Sequence, residues 1–332
     1  MNIQPNKSTI LVTGATGFVG AYVTRDLINA GYKVKAIRRS NKLPSFISKD
    51  IFDRVEWING DILDIISLEE AMTDTDAVIH CAAKVSFKKK DREELLKTNI
   101  EGTANVVNMA IEKNIQRLVY VSSIAAIGRT PQGGMASEET KWTANKLQTA
   151  YSLSKYRAEL EVWRGIGEGL NAVIVNPSLI LGFGDWNSSS SSIFKNIYNG
   201  FPWYTNGING FVDVEDVSSA IVSLLSTEIH SERFILNGDN WNYRKLFDTI
   251  ADAFGKKRPY REAKPWMGAI AWRLAAMKSV LTGQDTMLSK ETAKVATATT
   301  LFDNNKILKA LPDFRFTSLA ETIRKACKNY TL

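Results

Sequence analysis

A glycine-rich turn separates a predicted strand from a predicted helix near the start of the chain. Residues 8–12 form an apolar run typical of a buried parallel strand, and apolar residues recur at helical spacing over 18–30. Between and within these segments lie Gly14, Gly17 and Gly20. They would allow, in that order, a tight turn, a close approach of backbone to pyrophosphate, and close packing of helix on sheet. The segment therefore predicts a dinucleotide-binding site.

The start of this predicted helix supplies the expected phosphate contacts. Its first N–H groups have no acceptor within the helix and lie at the positive end of the helix dipole, which favours anions. The spacing G-x-x-G-x-x-G differs from the more common G-x-G-x-x-G. We expect the following residues to bind the cofactor here: Gly14, Thr16, Gly17, Phe18, Val19 and Gly20.

Strand-like and helix-like segments alternate after this turn. Apolar runs at 9–13, 33–37, 55–58, 77–80, 117–121 and 171–175 alternate with amphipathic segments at 18–30, 67–73, 91–113 and 151–166. The alternation predicts an α/β fold, a Rossmann-type doubly wound parallel sheet that binds its ligand at the carboxyl ends of the strands.

A length of 332 residues is enough for about two domains. We expect a dinucleotide-binding domain over residues 1–176, to which residues 211–236 return. Residues 177–210 and 237–332 would then form a smaller, mostly helical substrate-binding part.

Tyr151 and Lys155 form the second chemical motif. Positions i and i+4 share one face of a helix, so both side chains would point into the same space. A phenol has an unperturbed pKa of about 10, and a neighbouring ammonium group lowers it. Such a spacing is common by chance, but together with the glycine turn it predicts a tyrosine that can donate or accept a proton near neutral pH.

Composition excludes several other classes of protein. The net charge is +7, but the lysine run 88–90 is followed by acidic residues, and no nucleic-acid module is visible. The two cysteines and two histidines lack metal-ligand spacing, and residues 1–9 do not resemble a secretory signal. We expect a cytoplasmic protein with no metal, no nucleic-acid partner and no transmembrane segment.

Residues 266–281 form the longest apolar stretch. Arg273 and Lys278 interrupt it, and it is too short to span a bilayer. A lid over the substrate and a helix lying on a membrane surface both remain open for it.

The glycine turn and the Tyr/Lys pair together resemble the extended short-chain dehydrogenase/reductase family, of the NAD-dependent epimerase/dehydratase type. Further segments resemble this family in the right order: residues 59–62 after the third strand, 77–83 in and after the fourth, 99–103 in a helix, 118–123 in the fifth strand, 176–178, and 211–217. The resemblance covers residues 8–240 well and the remainder loosely.

The resemblance implies roles for residues at these landmarks. The implied catalytic residues are Ser123, Tyr151, Lys155 and Asn99. The implied cofactor contacts beyond the glycine turn are Arg38, Asp61, Ile62, Ala82, Ala83, Ser122, Tyr151, Lys155, Pro177 and Ser178. Ser122 remains an alternative to Ser123, and a capping or packing role remains an alternative for Asn99.

The end of the second predicted strand indicates the form of the cofactor. An acidic residue there would bind the adenosine ribose and repel a 2′-phosphate, but the chain reads Ile37-Arg38-Arg39-Ser40. Arg38 lies where NADP-preferring members of the family place an arginine, and a guanidinium offers paired donors to phosphate. NADP(H) is therefore favoured, and NAD(H) stays open.

The resemblance favours a reductase or dehydrogenase acting on a small carbonyl or alcohol substrate. Ser123 is followed by Ile124-Ala125-Ala126 rather than by the acid/base pair of the dehydratases. A nucleotide-sugar epimerase with tightly bound NAD and a non-catalytic dinucleotide sensor remain as alternatives, and so does a homodimer.

Aromatic residues in the second part of the chain resemble the branch that contains dihydroflavonol reductases and 3β-hydroxysteroid dehydrogenases. These residues are Phe183, Trp186, Phe201, Trp203, Tyr204, Trp266 and Trp272. An alternative is that they only fill the core of that part.

Overall fold

Seven parallel strands form the central sheet of the protein. The computed structural model describes residues 3–130, 133–143, 148–187, 189–263 and 296–331. Numbered along the chain, the strands of this sheet are β1 (Thr9–Thr13), β2 (Lys33–Arg38), β3 (Glu56–Asn59), β4 (Ala77–His80), β5 (Arg117–Val121), β7 (Ala172–Pro177) and β11 (Glu232–Leu236). Their order is β11-β7-β5-β4-β1-β2-β3. Because the order reverses between β1 and β4, a ligand crevice is expected at their carboxyl ends.

Helices cover both faces of this sheet. They are α1 (Phe18–Asn29), α2 (Lys49–Phe52), α3 (Ile65–Met72), α4 (Arg92–Leu96), α5 (Gly102–Glu112), α6 (Ala150–Gly167) and α8 (Val214–Leu225). Val12 of β1 packs into the core with residues of α1 and α8, whereas its neighbour Leu11 packs into the core with residues of α3, α5 and α6. Successive strand residues therefore serve opposite faces, as the continuous apolar runs require.

The second part of the chain has its own core. Strands β8 (Leu179–Leu181), β10 (Ile208–Asp213) and β12 (Asp239–Asn242) form a three-stranded sheet, which packs with α7 (Ser192–Tyr198), α9 (Tyr243–Ala253) and α11 (Leu319–Tyr330). The remaining short elements are β6 (Met135–Ala136), β9 (Trp203–Tyr204), β13 (Arg261–Glu262), β14 (Leu301–Phe302) and α10 (Asn305–Ala310).

The structure confirms the predicted Rossmann-type α/β fold, and the six predicted strands coincide with β1 to β5 and β7. Of the segment 211–236, β11 joins the central sheet and α8 packs near α1, whereas β10 belongs to the three-stranded sheet. The helix expected over 91–113 is interrupted by a π-helical turn at Lys97–Glu101, which buries Asn99.

The apolar segment 266–281, with Trp266 and Trp272, lies outside the described residues. None of the helices within the described ranges has the length and apolarity needed to cross a bilayer.

Candidate active site

The carboxyl edge of the central sheet brings the predicted site residues together. Each strand from β7 to β3 contributes one of them at or just after its end. In spatial order these are Ser178, Ser123, Ala82, Gly14, Arg38 and Asp61. An elongated ligand lying along this edge would therefore meet Arg38 and Asp61 at one end and Ser123 and Ser178 at the other.

The glycine turn is packed too tightly for side chains at two of its positions. Gly14 has a φ of +72°, and a Cβ there would lie 2.7 Å from the Cα of Ala82. A Cβ on Gly20 would lie 2.1 Å from the carbonyl oxygen of Gly14. The turn thus holds the start of α1 directly against the ends of β1 and β4.

The start of α1 fits the pyrophosphate of a dinucleotide. Gly17 precedes the helix, and no described side chain caps it there. The Gly17 N–H donates to the Gly14 carbonyl (2.9 Å), while first-turn N–H groups such as those of Phe18 and Val19 have no acceptor within the helix. This leaves donors and the positive end of the helix dipole available to phosphate.

An open cleft of about 560 Å³ lies at the ends of β2 and β3. Its lining residues are Arg38, Arg39, Ser40, Asn41, Asn59, Gly60, Asp61 and Asp64. The Arg38 guanidinium lies 4.8 Å from the centroid of the Trp57 ring, and its Nε donates to Asn59 Oδ1 at 3.4 Å. Arg39 lies 3.7 Å from an oxygen of Asp61. The cleft therefore presents two guanidinium groups to whatever binds there.

Asp61 lines this cleft, and Ile62 follows it in the chain. One oxygen of Asp61 accepts the N–H of Leu63 (3.0 Å), which leaves the other beside Arg39. Ile62 is buried, and its carbonyl accepts a hydrogen bond from Asn105 of α5 (3.1 Å).

Local sequence fixes the start of the helix that carries Tyr151 and Lys155. Thr149 accepts the N–H of Ser152 (2.9 Å), and the Ser152 hydroxyl accepts the N–H of Thr149 (2.9 Å). This capping box begins α6 at Ala150, so Tyr151 lies in the first turn and Lys155 one turn later. The two residues consequently share a helix face, as their spacing predicts.

Ser123 is the serine that meets Tyr151. Burial raises the pKa of Tyr151, and the Ser123 hydroxyl beside the phenol opposes that shift. The Phe87 ring lies edge-on to the Tyr151 ring, with 5.8 Å between the centroids. The phenol and the serine hydroxyl therefore stand together next to an apolar side chain.

Lys155 is buried behind the ends of β4 and β5. Its Nζ donates to the Val121 carbonyl (2.8 Å) and lies 4.8 Å from the Tyr120 ring centroid. Burial lowers the pKa of Lys155 to about 8, while the Glu159 carboxylate opposes that shift. The Lys155 ammonium is therefore lost at a lower pH than that of an ordinary lysine.

Ser122 points to a different partner from Ser123. Its hydroxyl donates to Glu159 Oε2 (2.7 Å), which also accepts from Asn176 Nδ2 (2.8 Å). The other oxygen, Oε1, forms an ion pair with Arg233 at 2.9 Å. Strand alternation explains why two adjacent serines have separate partners.

The Asn99 amide is engaged on both sides. Its oxygen accepts the N–H of Lys84 (2.7 Å), and its nitrogen donates to the Lys84 carbonyl (3.0 Å) and to the Ser154 hydroxyl (2.9 Å). The amide therefore ties the segment after β4 to α6, a packing role that the sequence left open for it.

The remaining predicted contacts also lie at this edge. The Ala82 N–H donates to Thr13 Oγ1 (3.2 Å), and Ala83 is exposed beside it. Pro177 ends β7, and Ser178 is buried with a hydroxyl that has no hydrogen-bond partner within the described part of the chain. An unpaired hydroxyl at this position fits a polar group of a bound ligand.

Several aromatic residues expected in the substrate region pack among themselves. The Trp186 ring lies 4.5 Å from the ring of Tyr330 and 5.5 Å from that of Tyr198, and Phe183 lies 4.9 Å from Tyr330 (all between centroids). Phe183 and Trp186 thus both pack on Tyr330, which borders the core of the second part of the chain. By contrast, Phe87 is exposed beside Tyr151 and Val85 is exposed two residues earlier, and nothing in their local sequence marked them.

Glu159 is a site residue that sequence reasoning missed. It follows Lys155 by four positions, so the same helical spacing that paired Tyr151 with Lys155 could have extended the face to Glu159. Its partner Arg233 lies on β11, and no sequence pattern links the two.

Comparison with known proteins agrees with this geometry. The model of the NAD dependent epimerase/dehydratase family matches residues 10–236. The chain is 33% identical to the "Putative dihydroflavonol 4-reductase" of Synechocystis sp. over 79% of its own length and 77% of the relative's. It is 30% identical to "Cinnamoyl-CoA reductase 1" of Petunia hybrida, over 68% of this chain and 71% of that protein.

The fold comparison agrees as well. The solved structure of gox2253 superimposes with a TM-score of 0.82 at 28% identity and covers 98% of both chains. The family match, the reductase relatives and the fold agree with one another. The chain belongs to the NAD-dependent epimerase/dehydratase family of extended short-chain dehydrogenases/reductases and is an NAD(P)-dependent oxidoreductase.

Proposed function

We propose that the protein is an NADP(H)-dependent reductase of aldehydes or ketones that also catalyses the reverse oxidation of the alcohol. The observation that carries this proposal is the placement of the Ser123 hydroxyl beside the Tyr151 phenol, one helical turn from Lys155. These three groups can hold a carbonyl oxygen and protonate it. The reductase relatives support the same class of reaction.

The proton comes from Tyr151. As negative charge develops on the carbonyl oxygen, the Tyr151 phenol donates its proton to it, and the Ser123 hydroxyl donates a hydrogen bond to the same oxygen. Burial raises the pKa of Tyr151, so a positive charge nearby is needed to make the phenolate accessible. In this proposal Lys155 supplies that charge and also hydrogen-bonds the nicotinamide ribose.

The glycine turn and the start of α1 would hold the pyrophosphate, and Pro177 and Ser178 would border the nicotinamide. When bound, the nicotinamide supplies the hydride for reduction. The unpaired Ser178 hydroxyl is suited to the carboxamide, because a buried hydroxyl without a partner costs free energy until a ligand satisfies it.

Preference for NADP(H) rests on the cleft at the ends of β2 and β3. Arg38 and Arg39 both line it, and a guanidinium forms paired hydrogen bonds with phosphate oxygens. A 2′-phosphate in this cleft would face two cations, whereas NAD(H) offers only hydroxyl groups there.

We further propose that the substrate is a small carbonyl compound with an apolar body. Phe87 is exposed beside Tyr151, and Val85 is exposed two residues before it, so apolar substrate atoms at this edge would bury the Phe87 ring. In this view residues 177–210 and 237–332 complete the substrate-binding part.

Two measurements test the proposal. Mass spectrometry under native conditions identifies any dinucleotide that copurifies, and a panel of aldehydes and ketones is then screened by the loss of NADPH absorbance. We expect NADP(H) and consumption of at least one carbonyl compound. Tightly held NAD, with interconversion of a sugar nucleotide and no net NADPH consumption, would instead establish an epimerase.

A further inference from the structure

Glu159 is a carboxylate with almost no access to solvent, one helical turn beyond Lys155. Its exposed fraction is 2%, and the proton transfer proposed above does not use it. A buried charge is costly unless paired and hydrogen-bonded, so its surroundings are informative.

Four donors surround the Glu159 carboxylate. Besides Ser122, Asn176 and Arg233, the Trp163 indole donates to Oε1 at 3.4 Å. The ion pair with Arg233 and the three neutral donors together engage both oxygens of the Glu159 carboxylate.

The other titratable groups near Lys155 are uncharged at neutral pH. Burial lowers the pKa of His80 to about 3 and raises that of Cys81 to about 12. Burial also raises the pKa of Tyr120 and of Tyr151. Among the described groups, the Glu159 carboxylate is the strongest influence that raises the pKa of Lys155.

Arg233, the cation paired with Glu159, is itself held by a second group. Its Nη1 binds Glu159 Oε1, and its Nε donates to the carbonyl of Glu138 (2.9 Å). Glu138 itself is buried, and its Oε1 accepts the N–H of Ile235 (2.8 Å). Arg233 is consequently anchored from two sides, with its charge directed at Glu159.

We propose that the Glu159–Arg233 ion pair is a positioning device that sets the charge of Lys155. The Glu159 carboxylate keeps the Lys155 ammonium protonated, and Arg233 moderates that attraction. The same carboxylate fixes Ser122 at the end of β5 and so the backbone that carries Ser123. The inference rests on the proposed role of Lys155 in the Tyr151 proton transfer.

The two partners act on Lys155 with opposite signs. Glu159→Gln keeps the size of the side chain but removes the negative charge and leaves Arg233 unpaired, so the ammonium is lost at lower pH. Arg233→Met removes the opposing cation, so the ammonium persists to higher pH. A charge on a neighbouring side chain shifts a pKa by about 1 unit or more. The pKa of Lys155 in the double variant should lie between the values in the two single variants.

The test is an NMR titration of the Nζ of Lys155 in protein labelled with ¹⁵N-lysine, assigned by its loss in Lys155→Met. The alkaline limb of the kcat–pH profile is measured in parallel. We expect a downward shift of about 1 pH unit for Glu159→Gln and an upward shift for Arg233→Met in both readouts. Glu161→Gln, which changes a surface carboxylate of the same helix, should leave both unchanged.

Shifts of the same sign in both variants, or no shift in either, would overturn the inference. An ion pair that only stabilises the fold would not move the pKa of Lys155 in opposite directions. Opposite NMR shifts without turnover of any carbonyl substrate by the wild type would refute the proposed function and uphold the ion pair's effect on Lys155. If Glu159→Gln shows no cooperative thermal transition, the sign of the Arg233→Met shift decides.

Discussion

The Ser122 hydroxyl donates a 2.7 Å hydrogen bond to the buried Glu159 carboxylate, so it is already engaged behind the edge of the sheet. The adjacent Ser123 instead meets Tyr151. In the proposed mechanism, one peptide bond thus separates a serine that stabilises the fold from the serine that contacts the substrate.

Ser123→Ala should reduce kcat by about 10²-fold, because it removes a donor to the carbonyl oxygen. Ser122→Ala should instead lower the free energy of unfolding by about 1–3 kcal/mol, because Glu159 loses one donor. Steady-state kinetics and urea denaturation of both variants check this. A reversed pattern would make Ser122 the catalytic serine.

Tyr151→Phe should lower kcat by about 10²–10⁴-fold and leave the Kd for NADPH nearly unchanged, since the phenol acts as a proton donor. The control is Tyr156→Phe, a tyrosine of the same helix that stacks on Trp142 at 4.1 Å. It should keep most of the activity. Retention of more than about a third of the wild-type rate by Tyr151→Phe would exclude the assignment.

Arg38→Asp should shift the preference from NADPH toward NADH. A charged hydrogen bond to phosphate contributes about 1.5–3 kcal/mol, so the ratio of kcat/KM for NADPH over NADH should fall by about 10- to 150-fold. Lys33→Asp reverses a charge at the opposite end of β2 and should leave the ratio unchanged. A wild-type enzyme that already prefers NADH would contradict the phosphate assignment.

Gly20→Ala should destabilise the protein by about 1–3 kcal/mol and weaken dinucleotide binding, because the new Cβ meets the Gly14 carbonyl oxygen and backbone cannot move aside easily. Gly167→Ala is the matched control on α6, where a Cβ meets nothing within 4 Å. It should be neutral or slightly stabilising. Thermal unfolding with and without NADPH measures both effects.

Turnover should fall as pH rises past about 8, since the Lys155 ammonium is lost through its pKa in the folded protein. Below that pH the charged form predominates, so kcat at saturating substrate should reach its plateau there. The kcat–pH profile of Lys155→Met should lack this limb. A profile without any alkaline limb in the wild type would show that the charge of Lys155 is not required.

Sequence alone predicted the parts of the site that depend on local patterns. The glycine turn, the apolar strand runs and the Tyr151–Lys155 spacing each follow from repeats within a few residues. The choice between Ser122 and Ser123 could not be made this way, because it depends on Glu159. The partners of Glu159 come from β5, β7 and β11, and only folding brings them together.

The π-helical turn at Lys97–Glu101 also escaped prediction, and it has a consequence for protein engineering. Just beyond it, Gly102 packs so closely on Ile62 that a Cβ would lie 2.5 Å from Cδ1. Within it, Asn99 reaches Lys84 and Ser154. An α-helix advances by about 100° per residue, so removing one residue between Asn99 and Gly102 would rotate one relative to the other by about that angle. Deleting one residue from this turn would make the helix regular, but it would break the contacts of either Asn99 or Gly102. The irregular turn therefore sets the rotation of α5 relative to α4, and a redesign that makes the helix regular should keep this turn.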